Sequence, residues 1–170
     1  MMARLSTLAG MLGGVALLVG PIVVEPAPVC IWNASESVAL GLYRVRRTGT
    51  RYVNELVAVR PPEPLATFLD LNGYLPLGVP MLKHVLALPG QIVCRHGLTI
   101  TVDGIEMGDA RERDSRGRRL PSWQGCDIVG ADELFLMNRQ SADSLDGRYF
   151  GLLPSSAVIG RALLVWTREK

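Results

Sequence analysis

Two serines, Ser35 and Ser37, lie two residues apart in the stretch Asn33 to Tyr43. On an extended strand such residues share a face. A serine hydroxyl becomes a nucleophile only when a neighbouring base takes its proton. Ser is also frequent in turns, so by itself the pair fits a polar connector equally well. Lys83 offers the base. It sits in Met81-Leu82-Lys83-His84-Val85-Leu86-Ala87-Leu88, which is otherwise apolar but for His84. Burying a lysine is costly. Either its stem snorkels or its amine pairs with an acid, or desolvation lowers its pKa until the amine is neutral near physiological pH. A neutral amine accepts a serine proton, which makes a Ser-Lys dyad that needs no histidine. His84 is the rival base. Adjacent residues on a strand face opposite ways, so His84 is expected packed or exposed, away from the nucleophile. A third polar group follows in Met137 to Gly151, where Ser144, Asp146 and Arg148 alternate. They fit either one ordered polar face or a loop of turn-forming residues.

The remaining composition narrows the chemistry. The 170 residues carry a net charge of only +2, which gives no basis for a nucleic-acid partner. The mixed-sign cluster Arg111 to Arg119 reads as a solvated loop. Three cysteines (Cys30, Cys94, Cys126) and two histidines, with no Cys-x-x-Cys pair, support no metal site, and no cofactor is expected. In an exported domain Cys94 and Cys126 are candidates for a disulfide, leaving Cys30 over; spacing alone does not fix the pairing.

Elements must position these groups. From Leu5 to Val24 the chain runs about 20 residues without a charge, the length a helix needs to cross a membrane. A buried core helix and a cleaved signal compete with a retained anchor. The glycines suit a membrane helix, and Glu25-Pro26-Ala27-Pro28 makes a poor cleavage site, so a retained anchor is favoured. Arg4 precedes the segment and the next basic residue is Arg44, which puts the amino terminus in the cytoplasm and the remainder outside. The expected division is 1–24, tail and anchor, and 25–170, an extracytoplasmic domain. In that domain Leu42–Arg47 and Tyr52–Arg60 read as two strands joined by a turn, and Leu65–Leu71 as a short helix. Asp103-Gly104 signals a hairpin between Leu98–Val102 and Ile105–Met107. Gln91–Cys94, Cys126–Val129, Leu134–Met137 and Ala157–Trp166 read as further strands. Many short strands with Gly/Pro turns predict an all-β domain.

Taken in order, these stretches resemble the type I signal peptidase family (peptidase S26), the membrane-anchored Ser-Lys peptidases. The marks are Ser35-x-Ser37 after an apolar segment, Lys83 leading to Leu88-Pro89-Gly90, and Asn138-Arg139 followed by Ser144-x-Asp146-x-Arg148-Tyr149-Phe150-Gly151. The Asn33-x-Ser35-x-Ser37 start, Gly41-Leu42-Tyr43 and Gly73–Pro80 narrow the likeness to the TraF-type peptidases of conjugative plasmids. The resemblance implies a signal-peptidase-like β-barrel or sandwich behind a single membrane helix. It implies Ser37 as nucleophile, Lys83 as general base, Asp146 as an aid to positioning, Ser35 as oxyanion helper with the Ser37 N–H, Ser144 bonding the lysine, and Arg148 pairing with Asp146. It further implies a periplasmic catalytic domain on the inner membrane that matures a secreted pilin-type precursor, with or without cyclisation. Partners would be that precursor, inner-membrane lipid and a conjugative secretion apparatus. A non-catalytic assembly protein and a general signal peptidase are the alternatives. Three positions depart from the pattern: Ala39 replaces a proline after the nucleophile, Met137 replaces the Asp before Asn-Arg, and Gly147 replaces a serine.

Overall fold

The computed structural model describes residues 7–16, 29–47 and 49–167. Residues 7–16 form a helix, α1. Among the described residues no helix is long and apolar enough to cross a membrane. The rest of the expected anchor, residues 1–6 and 17–24, lies outside the described residues.

From residue 30 onward the regular elements are mainly strands. β1 (Cys30–Asn33), β2 (Gly41–Arg46), β3 (Leu56–Val59), β4 (Met81–Ala87), β9 (Glu133–Leu136), β10 (Leu152–Pro154) and β11 (Val158–Thr167) form one antiparallel sheet in the order β1-β2-β11-β3-β4-β9-β10. A second sheet has the order β7-β6-β5-β8, from β5 (Ile92–His96), β6 (Thr99–Val102), β7 (Ile105–Asp109) and β8 (Gly125–Ile128). Two α-helices, α2 (Leu65–Leu71) and α3 (Gly147–Phe150), and a 3-10 turn at Ser155–Ala157 complete the described domain. The all-β class holds, as do α2 and the β6–β7 hairpin. That hairpin turns on Asp103 and Gly104, both at positive φ (50° and 78°), as a two-residue turn matched to strand twist requires.

The expected strand pairing fails at one point. β2 and β3 are not a hairpin, because β11 lies between them and pairs with both. The strand expected from Tyr52 begins only at Leu56, after a turn at Val53 and Asn54. Local alternation cannot reveal this, because the partner arrives a hundred residues later in the chain.

β4 is the central strand for the site. Its edges pair with β3 and β9, and six of its seven residues are buried. Val57, Val59, Met81 and Val85 pack with Leu134 and Leu136 on one face. Tyr43, Ala58, Leu82 and Ala162 pack on the other. A third cluster joins the sheets, with Leu86 and Ala87 of β4 against Val93, Ile100, Val102 and Phe135. Strands covered on both faces read as continuous apolar runs, which is why Met81–Leu88 lacks alternation.

Candidate active site

Lys83 lies opposite Val57 on β4, on the face of the first cluster, and is 5% exposed. Its Nζ donates to Ser144 Oγ at 2.7 Å. Burial pulls the lysine down to about 8, against a raising pull from the Asp146 charge and a further lowering from Arg148. At that value a substantial fraction of the amine is neutral near physiological pH.

Ser144, Asp146 and Arg148 are all buried. Asp146 caps α3 by accepting the Arg148 N–H. Its Oδ1 also accepts from Arg148 Nε at 2.9 Å, and its Oδ2 from Arg148 Nη2 at 2.9 Å and the Asn138 N–H at 3.0 Å. Arg148 Nη2 reaches on to the carbonyls of Ser141 and Ser144. Among the described residues no hydrogen bond joins Asp146 to Lys83. The carboxylate is occupied by Arg148 and Asn138, so it acts on the lysine through charge and through the loop it fixes.

Ser35 and Ser37 meet, but not by strand geometry. Residues 34–40 form the turn between β1 and β2. The buried side chain of Asn33 organises it. Its Nδ2 donates to the carbonyls of Ser35, Val38 and Ala39, and its Oδ1 accepts the Ser35 N–H and hydroxyl. With the Ser35 proton on Asn33, the 2.9 Å contact between Ser35 Oγ and Ser37 Oγ has Ser37 as donor. The Ala39 carbonyl also accepts from Tyr43 Oη at 2.8 Å. Asn33 and Tyr43 therefore brace the turn where a proline was expected.

The serine turn, the start of β4 and residues 140–145 line one cleft of about 720 Å³ that includes Ser37, Lys83 and Ser144. No hydrogen bond joins Ser37 to Lys83 among the described residues; such contacts are often long before substrate binds. The other two departures also have local causes. A Cβ on Gly147 would lie 2.6 Å from Phe135 Cε2 and 2.8 Å from the Leu136 carbonyl. Met137 is fully buried in the cluster between the sheets.

Two positioning residues escaped the sequence reading of roles. Asn33 was legible in principle, as a polar residue closing a strand before a turn. Asn138 was marked by its motif but given no role: its Nδ2 donates to the Leu82 carbonyl and its Oδ1 accepts the His84 N–H, continuing the edge of β4 beyond β9. His84 is half-buried with its Nδ1 3.0 Å from Asn138 Oδ1. Cys94 and Cys126 face each other across β5 and β8 and are disulfide-bonded, while Cys30 is free and exposed. The cluster at 111–119 is largely exposed, as expected, with Asp114 and Arg118 half-buried and bonded within it. Asp114 accepts from the Arg116 and Arg118 N–H groups, Arg118 Nε and Tyr74 Oη.

The frame is all-β, and a buried lysine and a serine turn line one cleft. The chain belongs to the signal peptidase family, peptidase S26, whose model matches residues 2–167. Among individual relatives, it is 37% identical over 146 residues to the conjugal transfer protein TraF of Agrobacterium fabrum, covering 79% of this chain and 81% of that protein. It is 31% identical over 177 residues to a plasmid transfer protein TraF of Escherichia coli, covering 96% and 97%. A signal peptidase I structure from Enterococcus faecalis matches with a TM-score of 0.41 at 16% identity, over 66% of this chain and 97% of that one.

Proposed function

We propose that this chain is a serine endopeptidase that matures a secreted, pilin-type precursor for conjugative transfer. Ser37 attacks the scissile carbonyl and Lys83 takes its proton. The Ser37 N–H, with the Ser35 hydroxyl released from Asn33, stabilises the oxyanion. Ser144 orients the lysine, and Asp146 with Arg148 holds the loop that carries Ser144. The domain from residue 25 works on the periplasmic face of the inner membrane, held there by an anchor within residues 1–24. Water or the precursor's own amino terminus resolves the acyl-enzyme, giving a linear or a cyclic product.

One observation carries this reading: a lysine lowered to about 8 by burial opens onto the same cleft as Ser37. The test is incubation of the chain with a candidate pilin precursor, read by mass spectrometry. A linear product is one water heavier than its cyclic counterpart. Ser37→Ala and Lys83→Ala each abolish the product on this reading. Undiminished processing by both variants refutes it and favours a non-catalytic assembly role. Processing of bulk secreted precursors points instead to a general signal peptidase.

A further inference from the structure

Ser37 opens onto two clefts. The first holds Lys83. The second, of about 870 Å³, is reached past Val38 and Ala39 and is walled by Leu56, His84, Met137, Arg139, Leu163 and Leu164. Consecutive residues of β4 thus face different clefts, Lys83 one and His84 the other. A peptide bond attacked at Ser37 also has two sides, an acyl part that stays on Oγ and an amine part that departs.

We propose that the second cleft binds an amine-terminated peptide with an apolar first side chain. It would be the departing segment during acylation and the incoming α-amine during acyl transfer. The inference rests on Ser37 being the nucleophile. Three observations favour this occupant. The first cleft includes Glu36 and Asp143, whereas no carboxylate lines the second, whose charged and titratable lining groups are Arg139, His84 and Tyr43. An α-amine attacks only when unprotonated; a nearby carboxylate would hold its proton, and a nearby guanidinium favours its loss. The Asn138 amide donates to the Leu82 carbonyl, so its oxygen faces the His84 ring. The ring then donates from Nδ1 and keeps a lone pair on Nε2, an acceptor for an amine N–H. Finally, Leu163 and Leu164 are exposed on β11 at the rim, and Met137 is buried beneath. In the transfer step the amine nitrogen bonds the acyl carbon, the bond from that carbon to Ser37 Oγ breaks, and the amine proton passes through Lys83 to Oγ. His84 positions the amine and is not the base.

The test loads the full chain in detergent with the p-nitrophenyl ester of an N-acylated alanyl peptide, which has no peptide on the amine side. Release of p-nitrophenol reports acylation. Leucinamide and glutamic acid amide then compete with water, and the ratio of amide to acid product is read within one acyl-enzyme. Wild type should prefer leucinamide. Leu164→Trp, which fills the rim, and Leu164→Glu, which adds a carboxylate, should each lower the leucinamide ratio about tenfold. His84→Ala should lower it, with partial recovery in His84→Gln. Ile128→Glu, on β8 of the other sheet, should leave it alone. Acylation with ratios unmoved by the Leu164 variants overturns the cleft assignment only. No p-nitrophenol release beyond that of Ser37→Ala overturns the nucleophile reading, and the cleft assignment with it.

Discussion

Lys83 carries a cost in folding that, on the proposed function, becomes an asset in chemistry. Its amine sits at about 8, below the ordinary 10.5, mainly because burial disfavours the charged form. As the proposed general base it would work only when neutral, so kcat/KM for the proposed precursor should rise with pH, reach half its maximum near 8 and level off above it. A midpoint near 10 would show that Lys83 is not the base. Stability follows the same group. Between pH 8 and 10.5 the unfolded chain holds a proton that the folded chain has lost, so stability climbs with pH across that window. Below it both states are protonated, and the folded state bears the full penalty, roughly 3 kcal/mol for such a shift. Lys83→Met should therefore be inactive yet as stable as wild type or more so at pH 7, by roughly 1–3 kcal/mol, with the climb between pH 8 and 10.5 gone. Urea unfolding at pH 7 and pH 10 checks both the sign and the window. A variant that keeps the climb would place the titration elsewhere.

α3 is only four residues long, yet it fixes the polar layer behind the lysine. Asp146 begins it and Arg148 lies within it. β5 and the loop between β7 and β8 grip it from outside: Arg95 Nη1 donates to the Arg148 carbonyl, Trp123 Nε1 to the Gly147 carbonyl, and the Arg111 N–H to Tyr149 Oη. Gly147 is the tight point, because a side chain there meets Phe135 and the Leu136 carbonyl. Gly147→Ser, which restores the residue usual in the resembled pattern, should destabilise the domain by roughly 1–3 kcal/mol through overpacking. Adding Phe135→Leu should recover part of the loss, and a double-mutant cycle by urea unfolding checks it; additive losses would mean that the ring is not the obstacle. How much of this was legible depends on range. Turn chemistry announced the β6–β7 hairpin and α2, since their signals lie within a few residues. Ser144, Asp146 and Arg148 showed as an alternating set, although their alternation serves a capped turn and not a strand. The insertion of β11 between β2 and β3, the Asn138 bridge to Leu82, and the Gly147 contact with Phe135 were not legible. Each depends on a partner set by the tertiary fold, and no periodicity records it.

At the scale of the molecule the two sheets divide the work. The first supplies the serine turn and Lys83. The second, with its β7–β8 loop, supplies a clamp and is joined to the first by the cluster of Leu86, Ala87, Val93, Ile100, Val102 and Phe135. Cys94–Cys126 ties β5 to β8, and β5 carries the Arg95 that holds α3. The sequence separation of 32 residues makes the crosslink worth about 3–4 kcal/mol by chain entropy. Its sulfurs lie far along the chain from Ser37, and neither cysteine lines the Lys83 cleft. Cys94→Ala with Cys126→Ala should therefore lower the urea midpoint without moving the pH midpoint of kcat/KM, measured well below the unfolding transition. Lys83 owes its low pKa mainly to burial, and it sits on β4 opposite Val57 in the first sheet. If the disulfide only staples the clamp, stability falls and the titration stays near 8. A midpoint that moves toward 10 in the double variant would show instead that the second sheet keeps water from the lysine, making clamp and chemistry one cooperative unit.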